Sequence, residues 1–132
     1  MKLLLDTHVW LWALLNPSLL RPKVRRDIED PGTELWLSTI TLWETALLIE
    51  KQRIQISSEP SLWIKQAVDR SACNEIQINT AVALRSRTIQ LPHQDPADRF
   101  IAASAEIFDL VLVTADQRLL ACPDIKTSRA AT

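Results

Sequence analysis

Short apolar runs that stop at a polar or acidic residue recur along this chain, and segments of helical period separate them. DLVLVT (109–114) is the clearest, KLLLD (2–6) and ELWLS (34–38) are of the same kind, and EIQI (75–78) is a weak strand. A continuous apolar run of this length fits a strand buried on both faces, because a half-exposed strand would alternate. Such strands need helices on both sides. The pattern therefore predicts an α/β domain, a three-layer α/β/α sandwich around a mainly parallel sheet. A weak last strand is expected from about Ile125 to Thr127.

The segments between the runs carry helix signals. Thr7 is placed to cap a helix that Asn16-Pro17 ends, and Lys23 to Asp30 reads as a short polar helix closed by the turn Pro31-Gly32. TLWETALLIEK repeats Leu42, Thr45, Ala46 and Ile49 at helical spacing. Pro60 is expected to open a helix through about Cys73, with Leu62, Ile64, Ala67 and Val68 as its apolar positions. Asn79 or Thr80 caps another to about Thr88, and ADQRLLA is a short helix or turn. A chain of 132 residues suits one domain, here expected over 1–127, with a loose tail from 128 to 132.

Composition removes several function classes. The single glycine, Gly32, weakens any glycine-rich phosphate loop, which needs several. Cys73 and Cys122 stand far apart with no Cys/His cluster around them, so neither a disulfide framework nor a zinc site is expected. The longest apolar run, Val9 to Leu15, is too short to span a bilayer, and Asp6 interrupts the leader-like start; a cytoplasmic protein without membrane contact is the expectation. The net charge of −1 leaves no general basic coat for nucleic acid, so any cations that serve one must be placed locally.

Residues that follow strands, and the first turns of the helices after them, gather at one edge of a parallel sheet, where ligands bind. Asp6 ends the first run and Glu44 lies early in the helix after the second. Asp98 opens the helix before DLVLVT, and Asp116 stands two residues beyond that run. Like charges brought together repel by about 1 kcal/mol at ~4 Å in water and roughly 4 at an effective dielectric of 20. Such a cluster holds protons or a cation. With oxygen ligands only, Mg²⁺ or Mn²⁺ is the natural cation, and phosphoryl chemistry the natural use. Each acid also has a plain reading: Asp6 as a strand terminator, Glu44 as the partner of Thr41 in a capping box, Asp116 as a turn or cap residue.

The stretch DPADRFIAA contains two aspartates with different prospects. Asp95 before Pro96 is the natural N-cap, which makes Asp98 the third helical residue. Ile101, Ala102 and Ala105 continue its face toward the sheet, and Arg99 turns about 100° away. Asp98 is therefore expected at the metal and Asp95 at the cap, in a supporting role. Arg99, Arg118 and His93 are weaker candidates for substrate contact, with solvation, ion pairing or a local hydrogen bond as the alternatives. His8 is read in the same way. The five tryptophans read as core and interface material, although Trp10 and Trp12 cannot share a helix face.

Taken together, LLLDTHVWLW, STITLWE, LPHQDPADRFIAASA and LVTADQRLL resemble the PIN-domain ribonucleases, and among them the VapC-type toxins of toxin–antitoxin pairs. The first and third blocks are the specific ones. The resemblance implies a parallel-sheet α/β/α fold and Mg²⁺- or Mn²⁺-dependent hydrolysis of RNA, with tRNA or rRNA as the target and translation inhibited. It implies Asp6, Glu44, Asp98 and Asp116 as the acids, with Thr7 and Thr114 as small polar residues supporting the metal. It also implies a homodimer silenced by a VapB-type antitoxin. The rivals are a catalytically weak nucleic-acid-binding module of the same fold, a phosphatase with Asp6 as nucleophile and a receiver-like domain. The phosphatase would want an acid at position 8, which is His8, and the receiver an acid beside Asp6.

Overall fold

The computed structural model describes residues 1–131. Five strands form one sheet: β1 (Lys2–Leu5), β2 (Glu34–Ser38), β3 (Asn74–Ile76), β4 (Val111–Thr114) and β5 (Lys126–Arg129). Their order is β3-β2-β1-β4-β5, and every neighbouring pair is parallel. The helices are α1 (Thr7–Leu15), α2 (Pro22–Glu29), α3 (Thr39–Glu50), α4 (Pro60–Ser71), α5 (Thr80–Ser86), α6 (Pro96–Ile107) and α7 (Gln117–Leu120), with a 3₁₀ turn at Pro17–Leu19. The expected fold class holds.

Side chains alternate along each strand, so β1 and β4 feed two cores. Leu4 and Leu112 pack with Val82 of α5, Ile101 and Ala102 of α6 and Leu119 of α7. Leu3, Leu5 and Val113 pack with Val9, Trp10 and Leu11 of α1, Val24 of α2 and Ala67 of α4. Both faces of β1 and β4 are dry, which is why KLLL and LVLV read as unbroken apolar runs.

Several boundaries differ from the sequence reading. The strand expected over EIQI begins one residue earlier, at Asn74, and ends two earlier, at Ile76, and α5 stops at Ser86. On α4 it is Trp63 that packs toward the core, while Leu62 is exposed. The expected tail begins too early: Ser128 and Arg129 belong to β5, and Ala130 is buried with its N–H on Thr114 O at 2.9 Å. KTSR carries no apolar signal, because an edge strand is held by its backbone pairing with β4. The last residue of that tail, Thr132, lies outside the described residues.

Candidate active site

The ends of β1 and β4 lie side by side. Leu5 pairs with Val113, and Asp6 N donates to Val113 O at 3.0 Å. This brings Asp6 next to Thr114, whose hydroxyl donates to Asp6 Oδ2 at 2.7 Å. The other oxygen, Oδ1, accepts from Thr7 N at 2.9 Å. Asp6 is therefore the N-cap of α1, one residue earlier than Thr7, the expected cap. A short acceptor at this position satisfies a helix N–H and meets the positive end of the helix dipole. Burial pushes the Asp6 carboxyl up, and the bonds from Thr114 and Thr7 pull against it.

The capping-box reading of Glu44 falls. Helix α3 starts two residues before Thr41, with Ser38 Oγ accepting from Ile40 N at 3.2 Å. Thr41 is fully buried and Glu44 sits in the second turn, facing α1. The Thr7 hydroxyl donates to Glu44 Oε1 at 2.5 Å, and Thr41 Oγ1 lies 3.2 Å from Thr7 Oγ1. A hydroxyl has one hydrogen to give, so Thr7 gives it to Glu44 and accepts from Thr41. Thr41 thus supports Glu44 through Thr7, a part that its helical spacing from Glu44 did not reveal. Glu44 is pushed up by burial, against its bond from Thr7, and further up by Asp6 and Asp98.

Helix α6 opens as expected. Asp95 Oδ1 accepts from Ala97 N at 3.0 Å, Pro96 is the first helical residue, and Asp98 is the third. Ile101, Ala102 and Ala105 are buried beneath Asp98. Asp98 Oδ2 lies 2.8 Å from His93 Nε2. Burial raises the Asp98 carboxyl, His93 opposes this, and Asp6, Asp95 and Asp116 add to the rise. Asp116 caps α7, accepting from Arg118 N at 2.8 Å and pairing with its guanidinium at 3.2 Å. Burial acts upward on Asp116 too, yet the Arg118 bonds outweigh it and leave this carboxyl lowered.

Asp6, Glu44, Asp95, Asp98 and Asp116 line one open cavity of about 370 Å³ at the carboxyl edge of the sheet. His8, Trp12, Ala115 and Arg118 complete its walls. Arg118 is the only lysine or arginine among them, and it is already paired with Asp116. The donor set is oxygen-only and acidic, which suits a hard divalent cation. Among the described residues, no three acid, histidine or cysteine side chains stand close enough to form a ready-made shell. The carboxylates thus make a cup wider than a dry cage. Mg²⁺ suits such a cup, since it keeps several waters and binds through one or two carboxylates.

Two of the three candidate substrate contacts have other work. Arg99 is buried, 5% exposed, with its guanidinium donating to the carbonyls of Ser86 (2.7 Å), Ile89 (2.9 Å), Leu91 (3.1 Å) and His93 (3.0 Å). It is neither solvated nor ion-paired, and it cannot reach a substrate. The 86–93 segment folds over its side of α6, which helical spacing alone does not reveal. His93 sits on that segment and is bound to Asp98, a local role. Arg118 stays half exposed on the cavity wall. The two neighbouring tryptophans separate: Trp10 is fully buried with Nε1 donating to Ser71 Oγ at 3.1 Å, while Trp12 reaches the cavity.

The PIN domain family model matches residues 3–124. The chain is 34% identical over 119 residues to Ribonuclease VapC22 of Mycobacterium tuberculosis, covering 88% of both proteins. Its fold is similar to a chain of VapBC2 from Rickettsia felis bound to a DNA fragment from their promoter, with a TM-score of 0.71, 17% identity and 97% and 98% of the two chains covered. A chain of DNA-bound VapBC from Salmonella typhimurium gives a TM-score of 0.70 at 23% identity over 97% of both.

Proposed function

The chain belongs to the PIN-domain family, in its VapC branch, and on that premise we propose that it is a divalent-metal-dependent endoribonuclease, the toxin of a toxin–antitoxin pair. The observation that carries this is the convergence of Asp6, Glu44, Asp98 and Asp116, from four separate segments, on one cavity at the carboxyl edge of a parallel sheet. Three of the four are pushed toward protonation, first by burial and then by the neighbouring carboxylates.

In this reading the four acids hold Mg²⁺ or Mn²⁺, directly or through water. The bound cation would neutralise charge on the scissile phosphate and activate water for its hydrolysis. Thr114 and Thr7 N fix Asp6, and the Thr7 hydroxyl fixes Glu44. Asp95 starts the helix that carries Asp98. Arg118, across the cavity, is placed to meet a phosphate, at the cost of its pair with Asp116. The VapC resemblance supports tRNA or rRNA as the target, inhibition of translation in the cytoplasm, a homodimer and a VapB-type antitoxin as partner. No helix of the described residues is long and apolar enough to cross a membrane.

The open spacing of the acids favours, as the second reading, a module of this fold that binds nucleic acid and turns over weakly. Expression with and without the antitoxin, followed by mapping of cleaved RNA ends, separates the two. New ends at defined positions, only without the antitoxin, support the toxin. Growth arrest without any new end supports the binding module.

A further inference from the structure

We propose that the groove between α1 and α3, beside the carboxylate cavity, binds an unpaired nucleotide of the RNA substrate, with its base on Trp12 and a neighbouring phosphate on Arg53. This rests on the nuclease reading above. His8 and Trp12 stand four apart on α1 and therefore share a face, with ring centroids 6.5 Å apart and planes tilted by 59°. His8 is exposed and Trp12 half-buried. Both form part of two adjoining hollows. One is the carboxylate cavity, and the other, of about 340 Å³, is walled further by Leu11, Leu48 and Arg53. A nucleotide next to one held at the carboxylates therefore meets Trp12 without leaving the surface.

The cations point the same way. Five carboxylates line the cavity, and its only arginine is paired with Asp116. A bound cation serves the scissile phosphate, so the phosphates on either side need positive charge elsewhere. Arg53 is exposed and makes no salt bridge among the described residues. Its backbone is fixed just past α3, with its N–H on Leu48 O at 2.9 Å. Arg53 also walls a third hollow, beside exposed Trp43 and Lys51, which shares Glu44 and Asp95 with the carboxylate cavity. An aromatic face with a cation beside it is how proteins hold single strands, whose bases are free to stack; a duplex keeps its bases stacked inside. The shared walls favour RNA over a protein segment as occupant, because RNA must enter the carboxylate cavity in any case.

The test is cleavage of a short random-sequence single-stranded RNA pool in Mn²⁺ by the full chain, with KM and kcat measured separately. Trp12→Leu and Arg53→Glu should each raise KM about tenfold and leave kcat nearly unchanged, and Trp12→Phe should restore the lost affinity. Circular dichroism establishes that each variant folds, and Arg53→Glu decides alone if Trp12→Leu does not. Unchanged KM in folded variants overturns the proposal. Unchanged KM with lost inhibition by the antitoxin also overturns it, and assigns the groove to the protein partner. An RNA pool left intact by the wild-type chain refutes the nuclease reading itself, and the groove proposal falls with it.

Discussion

The hydroxyl of Thr7 donates to Glu44 Oε1 at 2.5 Å and so ties the first turn of α1 to the second turn of α3. Thr7 N meanwhile holds Asp6 Oδ1. One residue therefore sets the direction of two of the four acids, through its backbone for one and its side chain for the other. Thr7→Val keeps the backbone bond and removes the hydroxyl's two, to Glu44 and from Thr41. It should cost about 1 kcal/mol of stability and lower RNA cleavage roughly tenfold or more, as loss of an outer-shell partner does. Thr7→Ser, which keeps the hydroxyl, should recover most of the rate. Denaturant melts beside cleavage rates test this, and equal losses in Val and Ser would contradict it.

The two aspartates of DPADRFIAA should fail differently. Asp95→Ala removes an N-cap and should cost about 1 kcal/mol with part of the activity retained. Asp98→Asn should abolish cleavage while leaving the metal-free fold at least as stable, because it removes a charge that burial opposes first, and Asp6, Asp95 and Asp116 after it. Melting temperatures and cleavage rates of the pair test the division, and the reverse pattern would exchange the two roles.

Arg99 should prove structural. Its guanidinium serves four carbonyls, three of them in buried bonds, and removing it strands them along with the fold of residues 86–93. Arg99→Ala should cost about 3 kcal/mol or more. Lysine should not rescue it, since an ammonium offers three donors and no planar fork. Arg118→Ala, in contrast, should shift stability by about 0.5 kcal/mol or less and act on cleavage. Urea midpoints of the three variants decide the matter.

Asp6, Glu44 and Asp98 all hold their protons more tightly in the fold than the ordinary values of 3.8 for aspartate and 4.5 for glutamate. A folded state that binds protons more tightly than the unfolded one loses stability as pH rises. For these groups the loss starts near their ordinary values and runs up through the raised ones. Asp116, lowered by Arg118, works in the opposite sense, below 3.8. Without divalent metal, the wild type should therefore lose more stability between acid and neutral pH than Asp98→Asn does. Mg²⁺ should close that gap. Melting curves across pH, with and without Mg²⁺, measure it, and parallel curves for the two proteins would count against a repelling cluster.

The legible parts of this molecule were those that local chemistry decides. Proline fixed the register of α6 and so told Asp98 from Asp95, and unbroken apolar runs revealed the two-sided burial of β1 and β4. What stayed hidden depends on long-range approach. The four carbonyls of Arg99 come from a segment that returns over α6. Thr41 matched a capping motif because α3 begins two residues earlier than its first apolar position suggests. The last strand, expected near Ile125 to Thr127, runs on through Ser128 and Arg129, where it is held by backbone pairing at a sheet edge and leaves no trace in those residues.

Cleavage of RNA by the purified chain in Mn²⁺, repeated in EDTA and with folded Asp98→Asn, tests the account most directly. Cleavage in Mn²⁺ that vanishes in EDTA and is absent from the variant is the predicted result. Cleavage that persists in EDTA, or that Asp98→Asn carries out at the wild-type rate, would contradict a metal held by these carboxylates.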